Sequence, residues 1–149
     1  MPIEGEYAPS PSQWVRDQVE KYESSGGTDG LTLMNTGMPV IVVVNRGAKT
    51  GKVRKTPLMR VEHEGTYLAV GSKGGSPTNP VWVHNLRADP HVELWDGPDR
   101  SDRLAREISG EERATWWERA VAAFPPYAEY EAKTERQIPV FVLEPIPTL

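Results

Sequence analysis

A small antiparallel β-barrel with helices on its periphery is the fold this chain predicts, a mostly-β arrangement within the α+β class. Three observations predict it. Strand-like segments follow one another through the middle of the chain with turn signals between them. One short helical segment interrupts them, and two more precede the final strand. A parallel dinucleotide-binding sheet would need a helix after nearly every strand, and that alternation is missing. At 149 residues, one domain can bury most of its surface and fold without covalent staples.

The elements follow in order. Ser10 is placed to cap a helix, with Pro11 at its first position and Gln13 completing a capping box. That helix should run to about Ser24, with Trp14, Val15, Val19 and Tyr22 on a narrow apolar face. The stretch SSGGTDG (24–30) then reads as a flexible linker, so loose docking is expected. Residues 1–30 form a helix-and-linker unit ahead of a barrel domain over 31–149.

LTLM (31–34) is the first strand signal, and PVIVVV (39–44) is a continuous apolar run that predicts burial on both faces. Lys49, Thr50 and Gly51 make the tip of a hairpin, and VRKTPLMRV (53–61) returns as a strand with Pro57 at an edge or bulge. EHEGT is a second turn, leading into YLAVGS (67–72). Asn79 is placed to cap a helix whose first residue is Pro80 and which Pro90 stops. HVELWD and RLAREI read as strands around GPDRSD (97–102). Ser109 with Glu112 has the spacing of a capping box for a helix through Phe124. Residues 125–136 add a short helix or turn, and IPVFVLEP closes the chain as a strand.

Composition removes several functions. There are no cysteines, hence no disulfide, thiol nucleophile or thiolate metal site. No secretory-signal pattern opens the chain and no apolar run approaches the roughly 20 residues of a membrane span, so a cytoplasmic protein is expected. A net charge of −4 argues against nucleic acid as a partner. His63, His84 and His91 lack metal-ligand spacing, no Ser/His/Asp arrangement is visible, and Glu111 and Glu112 sit where a helix dipole welcomes them. Neither a metal centre nor hydrolase chemistry is expected.

Against this acidic background, NRGAKTGKVRKTP (45–57) holds Arg46, Lys49, Lys52, Arg54 and Lys55 with no carboxylate. Removing these five from the 17 Lys+Arg leaves 12 against 21 Asp+Glu, so the rest of the chain carries about −9. Such a strip calls for an anion among its charges. It is not a nucleotide phosphate loop: three residues separate Gly47 from Gly51, and Val53 stands where a magnesium-binding hydroxyl belongs. A second segment, VGSKGGSPTNPVWVHN (70–85), combines Gly74 and Gly75 with a helix start whose amides face outward. Alone, either could be an ordinary solvated loop; as neighbours at the barrel edge they make a candidate anion cradle. Trp116 and Trp117 are expected in the core, while Phe124, Tyr127 and Tyr130 suit core or pocket rim alike.

Taken together, KTGxxR with Thr56-Pro57-Leu58, then SKGGxxxNPxWxxNLxxxP, then FPPYxxYxxxTxRxIPVFVLEP resemble the deazaflavin-dependent nitroreductase family. Its members are similar to actinobacterial quinone reductases that use reduced coenzyme F420. The resemblance runs over residues 40–145 and leaves the N-terminal helix outside. It implies a split β-barrel of the FMN-binding type and hydride transfer to an electron-poor conjugated acceptor such as a quinone, unsaturated lactone or nitro compound. The coenzyme it implies is an 8-hydroxy-5-deazaflavin with a phosphate and an oligoglutamate tail, an anion long enough to use several basic residues at roughly 0.2–1 kcal/mol per exposed pair.

By matching motif, the resemblance assigns Ala48, Lys49 and Thr50 with Arg54, Lys55, Thr56, Pro57, Leu58 and Met59 to the tail, phosphate and approach to the ring. Val70, Gly71, Ser72 and Lys73 with Val81, Trp82, Val83, His84 and Asn85 form the ring cradle, and Tyr127 lies near the ring. Ser72, Lys73 and Tyr130 are the groups expected to hydrogen-bond the acceptor. The nitroimidazole-activating relative has tyrosines where this chain has Met59 and Phe124, which favours quinones or lactones over nitro compounds. Competing readings are a non-catalytic coenzyme carrier and a flavin-mononucleotide oxidoreductase on the same barrel. A monomer and a homodimer both fit. A contact of the N-terminal helix with the inner membrane surface through Trp14 is opposed by Asp17, Glu20 and Glu23.

Overall fold

The computed structural model describes residues 3, 5–32 and 38–146. Its strands are β1 (Val40–Arg46), β2 (Val53–Met59), β3 (Glu62–His63), β4 (Thr66–Val70), β5 (His91–Asp96), β6 (Asp99–Glu107) and β7 (Val140–Pro145). Its helices are α1 (Gln13–Ser24), α2 (Val81–Ala88), α3 (Gly110–Ala123) and α4 (Pro126–Lys133), with a 3₁₀ turn at Lys73–Gly75. All seven strands join one antiparallel sheet in the order β2-β1-β5-β6-β7-β4-β3. The sheet curls until β2 approaches β4 from across the strand order, giving the expected split-barrel architecture with peripheral helices.

Side-chain alternation sorts the core into three bodies. On the concave face Ile41, Val43, Ala69, Leu94, Phe141 and Leu143 surround Trp82, Val83 and Leu86 of α2, which plugs one end of the barrel. On the convex face of β1, β2 and β5, Val42, Val44, Val53 and Trp95 are covered by Tyr22 of α1. On the convex face of β4 and β7, Leu68, Val70, Val140 and Val142 are covered by Trp116, Ala120, Phe124 and Tyr127 of the last two helices and the link between them. β1 is therefore buried on both sides, the reason for its unbroken apolar run. Beyond the concave core, Arg60 Nε donates to both Asp96 oxygens (3.0 and 3.1 Å) and the Tyr67 hydroxyl donates to the same carboxylate. This latch ties the chain leaving β2 to β4 and β5, none of which is a sheet neighbour of another.

Several local expectations are corrected. α1 starts at Gln13, because the Ser10 hydroxyl accepts from Ser12 N–H (3.1 Å) in a turn before the helix instead of capping it. Pro80 has an extended ψ of 152° and stands before α2, not within it; Asn79 gives its side-chain oxygen to Arg136. Ser109 forms no side-chain cap, and Glu112 is taken by Arg106. β6 begins at Asp99, leaving only Gly97 and Pro98 as the turn, since Asp96 pairs directly with Asp99. Thr32 bridges Pro39, while Leu33 and Met34 of the first strand signal lie outside the described residues.

The N-terminal helix does not dock loosely. The Tyr22 hydroxyl accepts from Gly97 N–H (2.6 Å) and reaches the carbonyls of Trp95 (3.1 Å) and Val40 (3.3 Å). Gln18 donates to the carbonyls of Gly30 and Thr32. Residues 25–29 form a hydrogen-bonded turn around the Ser25 hydroxyl, which accepts from Thr28 and Asp29 N–H. At Gly27 a Cβ would lie 1.9 Å from Gly97 O, so only glycine lets the two turns touch. Trp14 is left 46% exposed, outside the buried face that Val19 and Tyr22 share.

Candidate functional site

The turn after β1 is closed by Gly47 N–H to Lys52 O (2.8 Å) and Gly51 N–H to Gly47 O (2.9 Å). What fixes it to the barrel is a pair of buried amides. Asn85 of α2 accepts from Ala48 N–H (2.9 Å) and donates to Asn45 Oδ1 (2.9 Å); Asn45 in turn donates to Val43 O and Thr56 Oγ1. Asn45 is 0% and Asn85 2% exposed, so these bonds satisfy groups that water cannot reach. They join the two segments singled out from sequence, residues 45–57 and 70–85.

The basic strip, however, is divided. Strand alternation sends Arg54, Thr56 and Leu58 to the concave side and Val53, Lys55 and Pro57 to the convex side. Lys55 points away from Arg54, bonds Glu23 (2.6 Å) and lies 4.3 Å from the Tyr7 ring centroid. Lys52 pairs with Glu6 (3.6 Å) and Arg46 with Asp89 (3.7 Å). Lys49 and Arg54 have no carboxylate partner among the described residues. The expectation of one five-charge strip is thus corrected: carboxylates compensate part of it, and Lys55 and Pro57 do not share the face of Arg54, Thr56 and Leu58.

The second wall leaves β4 at Val70. Gly71 N–H donates to Pro139 O (2.8 Å), and Ser72 follows, 7% exposed, its hydroxyl without a hydrogen-bond partner among the described residues. Lys73 sits at φ +47°, a left-handed conformation uncommon outside glycine, and has no carboxylate partner among the described residues. At Gly75 (φ +82°) a Cβ would stand 3.1 Å from Tyr130 O, so glycine admits α4 against this turn. α2 begins at an exposed Val81 (69%) just after Pro80, with no side-chain cap over its first amides. His84 is exposed, whereas Trp82 and Val83 point into the barrel core, Trp82 against Phe141. Of those two, only the backbone is available to a ligand.

The third wall is aromatic. Tyr127 packs on Phe124 (4.9 Å between centroids), Tyr130 (6.2 Å) and Trp117 (6.1 Å), with Met59 and Tyr130 half-buried beside the same cluster. Burial, with Tyr130 beside it, pushes the Tyr127 hydroxyl's pKa upward, so it stays protonated. Its hydroxyl has no hydrogen-bond partner among the described residues. Trp116 is core, as expected, against the edge of His63. Sequence reasoning missed Asn45 and Arg136. The asparagine ending an otherwise apolar strand, and the arginine within TxRxIPV, were the available signals.

A cavity of about 660 Å³ lies elsewhere, on the convex face between Tyr7, Lys55, Glu93, Trp95 and Arg100. Glu23, Glu93 and Asp102 line it along with the cations, so it lacks the positive excess a polyanion needs. The surface formed by the 47–52 turn with β2, the Ser72 turn and α4 carries Lys49, Arg54 and Lys73 without carboxylate partners among the described residues. With unpaired Lys49 and Arg54, open helix-start amides and an apolar aromatic wall, its donor set fits a ring carrying an anionic tail.

The model of the F420H(2)-dependent quinone reductase family matches residues 14–145. The chain belongs to that family. The match takes in α1, which the resemblance over 40–145 had left out. The F420H(2)-dependent quinone reductase Rv1261c of Mycobacterium tuberculosis H37Rv is 37% identical over 108 residues, covering 70% of this chain and 72% of the relative. The structure of the F420-H2 dependent reductase FDR-A is 53% identical with a TM-score of 0.68, covering 71% of this chain and 94% of that one. A structure described as a domain-swapped dimer is 50% identical with a TM-score of 0.71, covering 91% and 100%. A heme binding protein of Mycobacterium smegmatis, 14% identical at a TM-score of 0.55, shares the fold alone. Among the described residues no helix is long and apolar enough to cross a membrane.

Proposed function

We propose that this chain is an F420H2-dependent reductase of quinone-like acceptors and that the surface described above is its coenzyme and acceptor site. The observation that carries the assignment of the site is the Ser72 hydroxyl, on a residue only 7% exposed and without a protein partner among the described residues, beside Lys73, which has no carboxylate partner there, and the uncapped start of α2. A hydroxyl held at a largely buried residue and not spent on the protein is available to donate to, or accept from, a ligand. Family membership supports the chemistry, and neither a carrier nor a flavin-mononucleotide enzyme is favoured by it.

When bound, the reduced deazaflavin supplies a hydride from the ring carbon that stands where flavin has its reactive nitrogen. Lys49 and Arg54, with the amides of Lys49 and Thr50, would hold the phosphate and glutamate tail. The open amides of Val81 and Trp82 would be available to its anionic groups. Ser72 and Lys73 place a hydroxyl and an ammonium where negative charge reaches the acceptor's oxygens. Tyr127 and Phe124 exclude water from one side, and Tyr130 offers its hydroxyl at the acceptor's edge. Met59 and Phe124 present no hydroxyl there, which suits a flat apolar quinone better than a nitro group. A homodimer is the assembly supported by the neighbour described as a domain-swapped dimer, and a cytoplasmic location fits a coenzyme of this charge.

The test is a fluorescence titration with oxidised coenzyme F420 followed by anaerobic turnover with a soluble quinone and a nitroimidazole side by side. Binding that weakens with salt, and faster turnover of the quinone, are expected. Tight binding of flavin mononucleotide without binding of F420 overturns the assignment.

A further inference from the structure

We propose that Arg136 is a positioning residue for the ring end of this site: it sets the backbone of residues 71–76, and through it the places of Ser72 and Lys73. The inference rests on the reading of those two residues as ring-side groups.

Arg136 lies beyond α4, in the link to β7, and its guanidinium reaches back to the turn that follows β4. Nη1 donates to Gly71 O (3.2 Å) and Asn79 Oδ1 (2.8 Å), Nη2 to Ser72 O (2.8 Å), and Nε to Ser76 O (2.9 Å). One planar fork thus takes three carbonyls of a single turn and the side chain of the residue before Pro80, which precedes α2. Thr134 from the same link adds a bond to Ser76 O (3.4 Å).

The turn it grips needs holding. Gly75 N–H donates to Ser72 O and Ser76 N–H to Lys73 O, the only backbone bonds closing it among the described residues. Ser72 O is shared between Gly75 N–H and the guanidinium. Lys73, at φ +47°, occupies a conformation that a non-glycine residue keeps only when its surroundings impose it. With its carbonyls engaged by Arg136, the turn leaves the Ser72 hydroxyl without a partner. Because the arginine leaves the end of α4, the helix carrying Tyr127 and Tyr130, the same contacts fix the aromatic wall against the hydroxyl and ammonium opposite.

Lysine cannot reproduce the fork, since one ammonium cannot span carbonyls at both ends of the turn. Arg136→Lys and Arg136→Ala should therefore loosen the turn without emptying the tail contacts at Lys49 and Arg54. The experiment is amide hydrogen exchange on the full-length protein, paired with F420 titration and steady-state turnover of a soluble quinone. In Arg136→Lys the Gly75 and Ser76 amides should exchange about ten-fold faster while β1 amides keep their protection, and kcat should fall about ten-fold or more, with the F420 Kd within about three-fold. Asn79→Ala removes one of the four acceptors and should shift the same readouts less; it serves if Arg136→Ala does not fold.

Unchanged exchange at Gly75 and Ser76, or full kcat in Arg136→Lys, overturns the proposal. So does loss of protection in β1 to the same degree, which makes Arg136 a general support of the fold. Wild-type protein that fails to bind F420 would instead bring down the ring-side reading, independently of the exchange result.

Discussion

Replacing Asn85 by alanine removes both ends of a bridge between α2 and the basic turn. Two groups lose their partner: the Ala48 N–H and Asn45 Oδ1. An orphaned polar group costs about 1–3 kcal/mol, with the full penalty only where water cannot enter. Ala48 is exposed and its amide can turn to solvent, placing it at the low end, whereas Asn45 is fully buried and falls higher. The expected loss is about 2–4 kcal/mol, the upper part including the small void left by the shortened side chain. Urea unfolding should report it as a lower midpoint at constant slope. Because Lys49 rides on the freed turn, F420 affinity should fall too, even at temperatures where the variant is fully folded. Asn85→Asp keeps an acceptor for Ala48 but loses the donor to Asn45, and belongs between wild type and alanine in the turn's hydrogen exchange. A destabilisation of Asn85→Ala below about 0.5 kcal/mol would refute the reasoning, because that is the scale of an ordinary surface change.

The division of the basic strip predicts that Lys49→Ala and Arg54→Ala each weaken F420 binding by roughly 0.2–1 kcal/mol, more at low salt, while Lys55→Ala leaves it unchanged; titration at two ionic strengths checks all three. Asp96→Asn should cost about 1–3 kcal/mol by disarming the Arg60–Tyr67 latch, and Tyr67→Phe about 0.5–1.5 kcal/mol, both read from urea midpoints. Glu107 takes a bidentate bond from Arg87 (2.9 and 2.9 Å), which holds its carboxyl below the ordinary 4.5. Its folded pKa lies below its unfolded one, so the pair's contribution is whole above about pH 4.5 and drains away as pH falls through the folded value. Melting temperatures followed from neutral pH downward should therefore decline less steeply in Glu107→Gln than in wild type. An identical acid limb would remove Glu107 from the account.

Much of the barrel was legible because its cause is local. The unbroken run of residues 39–44 states two-sided burial, glycine and proline mark the turns, and three motifs in order carry the family. Hydrogen-bond partners were not legible. Ser10, Asn79 and Ser109 each have the residue type and spacing of a cap, yet none caps its helix. The Ser10 hydroxyl is spent within its own turn, Asn79 is taken by Arg136, and Glu112, which would complete the Ser109 box, by Arg106. Spacing along the chain shows which groups could cap but not which competitor takes them, whether it lies in the same turn, as for Ser10, or in a distant link, as for Asn79.

The charges follow the same rule. Sequence alone determined that an acidic chain concentrates five cations in thirteen residues, and hence that some anion matters to it. Which cations remain for that anion was decided by the tertiary structure. The two-residue period of β2 turns Lys55 toward Glu23 and Arg54 toward the concave side, and curling the sheet brings Ser72, Tyr127 and Arg136 to one place. Composition and pattern are properties of the chain, but compensation of a charge is a property of neighbours in space.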